Sequence, residues 1–361
     1  MERKYVLVIN PGSTSTKVAI YEDEDEIKSY KLHHNRSELE KYKKVSDQYD
    51  YRIRLIYDWL ENQNINMKSL KAVVGRGGIL RPMPGGTYLV TDKMVDDLEI
   101  GIGGEHASNL GGMLAKGIAD KEGVPSYIVD PVAVDEFRDV ARISGLKGIV
   151  RKSQIHALNV KAVSYRRAKE LNKDLKDLNF IVAHLGGGIS IAPVEGGRMI
   201  DVNNASEMGP FSPERTGELP VMSLIDLCYS KEYTFEEMKE KIKGNGGLMS
   251  YLGTVDAREV EEKIDAGDEY AKLIYDAMIY QIGKEIGAVA TVLKGKVDNI
   301  ILTGGLAYSE YLVRKVKDMV EFISEVIVYP GEDEMDALNK GVLRVFNGKE
   351  KPKIYEEEVV F

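Results

Sequence analysis

The chain has 361 residues, 43% hydrophobic and 30% charged, enough to supply both buried cores and a wet surface; at ~100–200 residues per domain the length suggests two domains. Lys and Arg total 49 against 58 Asp and Glu, a net charge of −9 that excludes a global pull toward nucleic acid or an anionic membrane. The 35 glycines cluster rather than recurring every third position, which excludes a collagen-like chain, and the single cysteine, Cys228, excludes an internal disulfide or a Cys-based zinc cluster and suggests a reducing, cytoplasmic setting.

Residues 5–9 form an apolar run too short for a secretion signal, and no stretch approaches the ~20 apolar residues of a membrane helix. The pattern over 6–21 predicts a strand, a tight turn at Asn10-Pro11-Gly12-Ser13-Thr14, and a second strand, with a third over 27–33. A buried strand follows at 72–75, a helix over 106–121 with Leu110, Met113, Leu114 and Ile118 on one stripe, and a strand over 126–130. Residues 180–194 then repeat the opening pattern: strand, Gly186-Gly187-Gly188 turn, strand, with a third strand expected over 198–202. A long amphipathic stretch covers 256–293, broken near Gly267. A strand over 299–303, a helix over 308–320, a strand over 325–329 and a helix over 336–346 complete the chain. Two copies of one hairpin motif half a chain apart suggest a duplicated domain, and the alternation of strands with helices predicts α/β layers.

No Walker-A motif occurs. Gly101-Ile102-Gly103-Gly104 lacks the third glycine of a dinucleotide fingerprint and follows a helix-like segment, so it is discounted. The two hairpin turns are better phosphate candidates. Gly12-Ser13-Thr14-Ser15 offers amides and three hydroxyls, and Gly186-Gly187-Gly188 offers amides with no side chain to block approach. Either turn alone reads better as an ordinary hairpin; their recurrence at one place in two repeats reverses that and favours phosphate. Thr303-Gly304-Gly305-Leu306 ends a strand before a helix, where α/β sheets bind ligands and where small residues let a ring or ribose lie on the backbone.

Together these pieces resemble the superfamily of acetate and sugar kinases, heat-shock chaperones and actin. His184-Leu185-Gly186-Gly187-Gly188 is similar to the second phosphate motif of acetate kinases. Three segments are similar to the butyrate kinases of the acetokinase family: Met208-Gly209-Pro210-Phe211-Ser212-Pro213-Glu214-Arg215-Thr216-Gly217, Val74-Gly75-Arg76-Gly77-Gly78 and Arg151-Lys152-Ser153-Gln154-Ile155-His156-Ala157. The resemblance runs from Val6 to about Phe346. It implies an α/β fold of two duplicated actin-like (ribonuclease H-like) domains with a nucleotide cleft between them. The N-terminal domain is expected over 1–151, completed by a C-terminal helix over 336–361, and the nucleotide-binding domain over 152–335. The reaction it implies is ATP + carboxylate ⇌ ADP + acyl phosphate, with butyrate as acceptor, Mg²⁺ as cofactor, and a homodimer or higher oligomer with no nucleic-acid or membrane partner.

A short-chain carboxylate has a pKa near that of Glu, ~4.3, and is ionised at pH 7, so it needs no general base. Catalysis then reduces to positioning and charge neutralisation around a metaphosphate-like centre. Under the resemblance, Arg76 pairs with the carboxylate or the transferring phosphoryl group, and Arg215 faces the phosphoryl group. His106 lies near the substrate and His184 donates to a phosphoryl oxygen. His156 is a further active-site histidine or a structural one. Asp130, ending a strand, takes a magnesium or water-positioning role. Glu334 is a metal-linked carboxylate, or the first turn of a helix stabilised by its dipole. Asn10, Ser13, Ser15, Gly186, Gly187, Gly188, Gly304 and Gly305 are expected to hold the nucleotide. Gly77 and Gly78 are expected to leave room for a four-carbon chain. Alternatives are an acetate, propionate or branched-chain carboxylate kinase, a sugar kinase with Asp130 as base, and a sensor or regulatory ATPase.

Overall fold

The computed structural model describes residues 3–360; Met1, Glu2 and Phe361, the outer ends of the expected N-terminal domain, lie outside the described residues. Packing divides the chain into two units. One takes the chain to Asp135, residues 157–159 and everything from Asp333 on; the other takes 136–156 and 160–332.

The first unit is built on a seven-stranded sheet. Its strands are β1 (Tyr5–Pro11), β2 (Ser15–Glu22), β3 (Asp25–His33), β4 (Leu70–Arg76), β5 (Thr87–Leu89), β6 (Ser126–Val129) and β12 (Lys353–Ile354). Their order across the sheet is β12-β5-β6-β4-β1-β2-β3. β1 pairs antiparallel with β2 and parallel with β4. Val6 to Ile9 are all buried, as an apolar run covered on both faces should be. β3, the edge strand, is exposed and charged, which discourages pairing with another chain. The helix Asn109–Glu122 packs on β4 so closely that a Cβ at Gly75 would lie on the Gly111 backbone. The closing helix Glu334–Phe346 packs on β1, β4 and β6, which returns the end of the chain to the first sheet.

The second unit repeats the scheme. Its sheet runs β11-β10-β7-β8-β9, from β7 (Asn179–Leu185), β8 (Ile189–Glu195), β9 (Arg198–Met199), β10 (Asn299–Gly304) and β11 (Val326–Pro330). β7 pairs antiparallel with β8 and parallel with β10, the same neighbours that β1 has in β2 and β4. Duplication is therefore visible in topology as well as in sequence. The long helix Glu269–Val292 supplies much of this core through Ile274, Tyr275, Met278, Ile282 and Ile286. Its separation from the helix Ala257–Asp265 falls at Gly267, which adopts φ +90°, and Asp268 caps the new helix by accepting from the Tyr270 and Ala271 amides.

Two expectations shift. The third strand of the second copy is only Arg198–Met199, not 198–202. The Met199 amide donates to Glu136 at 2.7 Å and the Ile200 carbonyl accepts from Arg138 N at 3.0 Å, so residues 136–138 occupy its edge. For the same reason packing changes hands at Asp135 rather than at the expected join after residue 151. Glu136 forms a buried ion pair with Lys161, Arg138 pairs with Glu195, and Arg151 pairs with Asp201 and donates to the Val202 carbonyl.

Candidate functional site

In the first unit, three expected residues from distant segments meet. Asn10 near the end of β1 donates through Nδ2 to Glu334 Oε2 at 2.6 Å, and Glu334 Oε1 forms an ion pair with Arg76 at the end of β4. The parallel pairing of β1 and β4 brings Asn10 and Arg76 to neighbouring strand ends, and the helix Glu334–Phe346 delivers its first residue there. The side chains of Arg76 and Glu334 are 14% and 22% exposed, so the pair is sheltered yet reachable by substrate. The helix-terminus reading of this acidic run holds for Asp333, which caps the helix by accepting from the Asp336 amide at 3.0 Å.

Asp130 follows β6 with φ 39°, a left-handed conformation that Asp tolerates better than most residues. It is almost fully buried. Its Oδ1 accepts from the Gly86 amide at 2.7 Å, its own amide donates to the Gly86 carbonyl at 3.0 Å, and Arg344 Nη2 lies 4.0 Å from Oδ2. His106 is exposed in the turn before the helix Asn109–Glu122. The Ser108 amide donates to its Nδ1 at 3.2 Å, and Ser108 Oγ lies 2.7 Å from the same nitrogen.

The first hairpin turn runs from Pro11 to Ser15. Gly12 N donates to the Ser15 carbonyl at 2.7 Å and closes it. Ser13 is exposed and Ser15 half-buried. The equivalent turn of the second unit is closed by Gly186 N donating to the Gly188 carbonyl at 3.2 Å. The Gly187 carbonyl is drawn inward by Ser212 Oγ, which donates to it at 2.5 Å.

Arg215 lies against that second turn. A Cβ at Gly188 would stand 2.8 Å from Arg215 Cζ, so glycine is what lets the guanidinium reach the turn. Arg215 Nη1 donates to the Ala205 carbonyl at 2.9 Å, while its buried Nε makes no hydrogen bond among the described residues. Burial lowers its pKa from the ordinary arginine value.

His184 near the end of β7 and His156 at the start of the helix Ala157–Glu170 stack ring on ring, centroids 3.8 Å apart and planes within 11°. His156 Nδ1 lies 3.0 Å from Ser190 Oγ on β8, and His184 Nε2 lies 4.0 Å from Glu332 Oε2. Gly304 ends β10 with φ +88°, where a Cβ would stand 2.8 Å from the Leu185 backbone. Gly305 beside it is exposed, and a Cβ there would meet nothing within 4 Å, so flat open backbone follows the strand end.

One expectation is overturned. Gly77 and Gly78 do not open space for an acyl chain. A Cβ at Gly77 would stand 2.8 Å from Pro131 Cα and 3.3 Å from Ile128 Cδ1; one at Gly78 would stand 2.6 Å from Asn109 Cα. These glycines permit close packing of the strand end. The discounted Gly101-x-Gly-Gly run does follow a helix: Gly101, at φ +66°, caps the helix Asp92–Ile100.

Sequence reading missed Ser212 behind the second turn, Glu332 beside His184, Arg344 and Gly86 around Asp130, and Arg52 behind the first turn. Ser212 lies in the Met208–Gly217 segment, which could have pointed to it; the others are brought in by tertiary packing. Among the described residues no group of three or more His, Cys, Asp or Glu side chains could hold a metal. A magnesium ion here would therefore take most of its ligands from nucleotide phosphates and water, with one or two carboxylates in support, which suits its usual habit.

Residues 142–328 match the acetokinase family. A protein of Caldanaerobacter subterraneus subsp. tengcongensis named "Probable butyrate kinase 2" is 58% identical over 350 residues, spanning 97% of this chain and 99% of its own length. "Butyrate kinase 1" of Clostridium acetobutylicum is 53% identical over 352 residues, with the same two shares. The crystal structure of Porphyromonas gingivalis acetate kinase superposes with a TM-score of 0.79 at 21% identity, over 95% of this chain and all of that one, a likeness of fold.

Proposed function

The chain belongs to the acetokinase family, and from that premise we propose that it catalyses reversible phosphoryl transfer from ATP to butyrate, giving butyryl phosphate and ADP. The observation that carries the reading is identity of 53–58% over 97% of the chain with butyrate kinases. The Asn10–Glu334–Arg76 constellation supports it from the site.

A carboxylate oxygen attacks the γ-phosphorus; the new O–P bond forms as the bond to the bridging β,γ-oxygen breaks, and ADP leaves with that electron pair. Because the nucleophile is already ionised, the site needs cations and donors, not a base. Each unit, taken by itself, carries residues of that kind. In the first unit, Arg76 is held by Glu334, and its planar guanidinium is of the kind that recognises a carboxylate or phosphoryl oxygens. His106 supplies a donor, and Ser13 and Ser15 line the turn. In the second, Arg215, His184 and the amides of Gly187 and Gly188 neutralise charge on the phosphoryl group, and His156 holds His184 in orientation by stacking. Gly304 and Gly305 offer open backbone for the nucleoside.

Magnesium, when bound with the nucleotide, neutralises charge on its phosphates. Glu334 and Asp130 are the carboxylates that would support it, through water; Asn10 and Arg76 orient Glu334, and the Gly86 amide orients Asp130. Two domains, a duplicated pair with the last helix belonging to the first, are supported by the packing of the helix Glu334–Phe346 on β1, β4 and β6. A homo-oligomer is supported by the helix Val221–Tyr229, an apolar segment with no buried residue. Among the described residues no helix is long and apolar enough to cross a membrane. A cytoplasmic setting is supported by the single cysteine.

The test is a hydroxamate assay of acyl phosphate formed from ATP, magnesium and acetate, propionate, butyrate, isobutyrate or valerate. Highest kcat/KM with butyrate is expected. A maximum at another acid reassigns the substrate within the family. No acyl phosphate from any acid, with ATP binding intact, overturns the reading in favour of a sensor or regulatory ATPase.

A further inference from the structure

Arg52 sits in the helix Tyr49–Asn62, within Tyr49-Asp50-Tyr51-Arg52-Ile53-Arg54, a segment that reads as an ordinary charged helix face. Yet it is only 1% exposed, and among the described residues no carboxylate lies within ion-pair distance of it. Its guanidinium points at the first hairpin turn. Nη1 donates to the carbonyls of Gly12 at 2.8 Å and Ser15 at 3.3 Å and to Thr16 Oγ1 at 3.1 Å; Nη2 reaches the Ser13 carbonyl at 3.4 Å. Gln48 Oε1 accepts from Nε and Nη2 at 3.0 and 2.7 Å and fixes the plane of the fork.

The geometry has a direct consequence. A turn that presents amides outward must turn carbonyls inward, and inward carbonyls need donors. Arg52 supplies them from a single planar group. The Ser13 and Thr14 amides make no hydrogen bond among the described residues, and both residues are exposed. A buried cation without a counter-ion is costly, and an anion held by those amides would offset the cost. His34, whose Nε2 lies 2.8 Å from Thr16 Oγ1, adds no second charge at neutral pH: burial and the neighbouring Arg52 lower its pKa to about 4.

We propose that Arg52 is a positioning residue for the nucleotide: it holds the Gly12–Ser15 carbonyls inward so that the Ser13 and Thr14 amides face a phosphate group, whose charge its own buried charge complements. The inference rests on the reading of this turn as a phosphate site, and the experiment separates the two. Arg52→Lys, Arg52→Met and Ser13→Glu are compared with wild type for KM toward ATP, KM toward butyrate, and the rise in Tm on adding ATP. Arg52→Lys keeps the charge but loses the fork; Arg52→Met loses both.

The expected result is an ATP KM raised at least fivefold in Arg52→Lys and more in Arg52→Met, a smaller ATP-induced rise in Tm, and a butyrate KM within twofold of wild type. If Arg52→Met does not fold, Arg52→Lys decides. Ser13→Glu, at an exposed position, should raise the ATP KM at least tenfold. If Ser13→Glu leaves ATP affinity unchanged, the phosphate reading of the turn is wrong, and the inference falls with it. If Ser13→Glu weakens ATP binding but the Arg52 variants keep an ATP KM within twofold, or change both KM values equally, Arg52 is structural and the inference alone is overturned.

Discussion

Replacing Gly188 by alanine adds one methyl group, and the structure says where it goes. The new Cβ would stand 2.8 Å from Arg215 Cζ, closer than real Cβ atoms approach a neighbour. Gly188 is not among the positive-φ glycines, so the backbone accepts alanine without strain. What must move is the far end of a long side chain, which costs little stability. The fold should survive while the guanidinium is displaced from the turn by about an ångström. A misplacement of that size can cost ~10²-fold in rate, or about 2.7 kcal/mol of transition-state stabilisation. Arg215→Ala, by analogy with arginine fingers, should cost ~10³–10⁵-fold.

The decisive measurement is a double-mutant cycle on kcat for butyryl phosphate formation. If Gly188→Ala acts only by displacing Arg215, the double variant should be no slower than Arg215→Ala alone, and the coupling energy should equal the whole effect of Gly188→Ala. Additive losses would refute the reasoning, because they would mean that the methyl group blocks the phosphate and not the arginine. An unchanged kcat in Gly188→Ala would refute it too, by removing Arg215 from the reaction.

Three further outcomes are expected. Gly77→Val should lower Tm by several degrees, because its methyls meet Pro131 and Ile128, an overpacking cost of about 1–3 kcal/mol, and it should slow acetate and butyrate turnover alike; a selective loss with butyrate would restore the acyl-pocket role of this glycine. Gly305→Val extends into open space, so circular dichroism and Tm should be unchanged while the ATP KM rises at least tenfold; an unchanged KM would take this turn out of the nucleotide site. His34, facing Thr16, Arg52, His33 and Tyr51, is held neutral with a pKa lowered from 6.5 to about 4, so the unfolded chain binds the proton first. Its contribution is fully present above pH 6.5 and is lost as pH falls toward 4, about 2 kcal/mol at most by pH 5, less where solvent screens the ring. Urea unfolding of wild type and His34→Gln at pH 7 and pH 5 should therefore converge at the lower pH, and parallel profiles would show that this ring is not the titrating group.

Much of this protein is local and was legible as such. Val6 to Ile9 and Phe180 to Leu185 are apolar runs that have to be buried strands, and the glycine or hydroxyl turns after them have to be tight. The break at Gly267 and the helix stop at Gly101 follow from backbone freedom that only glycine has at positive φ. Spacing and turn chemistry are properties of neighbours in the chain, so the sequence states them directly. The resemblance then placed Arg76, Glu334, Asn10, His184, His156 and Arg215 in one chemistry, residue by residue.

Only the tertiary structure decided what those residues touch. That Glu334 clamps Arg76 depends on a helix more than 250 residues downstream returning to the first sheet. That Gly77 faces Pro131 and not open space depends on how the end of β4 sits beside the end of β6. Whether Arg52 is a solvated surface charge or a buried brace depends on which face of its helix meets the hairpin. A one-dimensional pattern carries the type and spacing of side chains. The distance between residues far apart in sequence, and the solvent each one loses, come into being only when the sheets and helices close on each other.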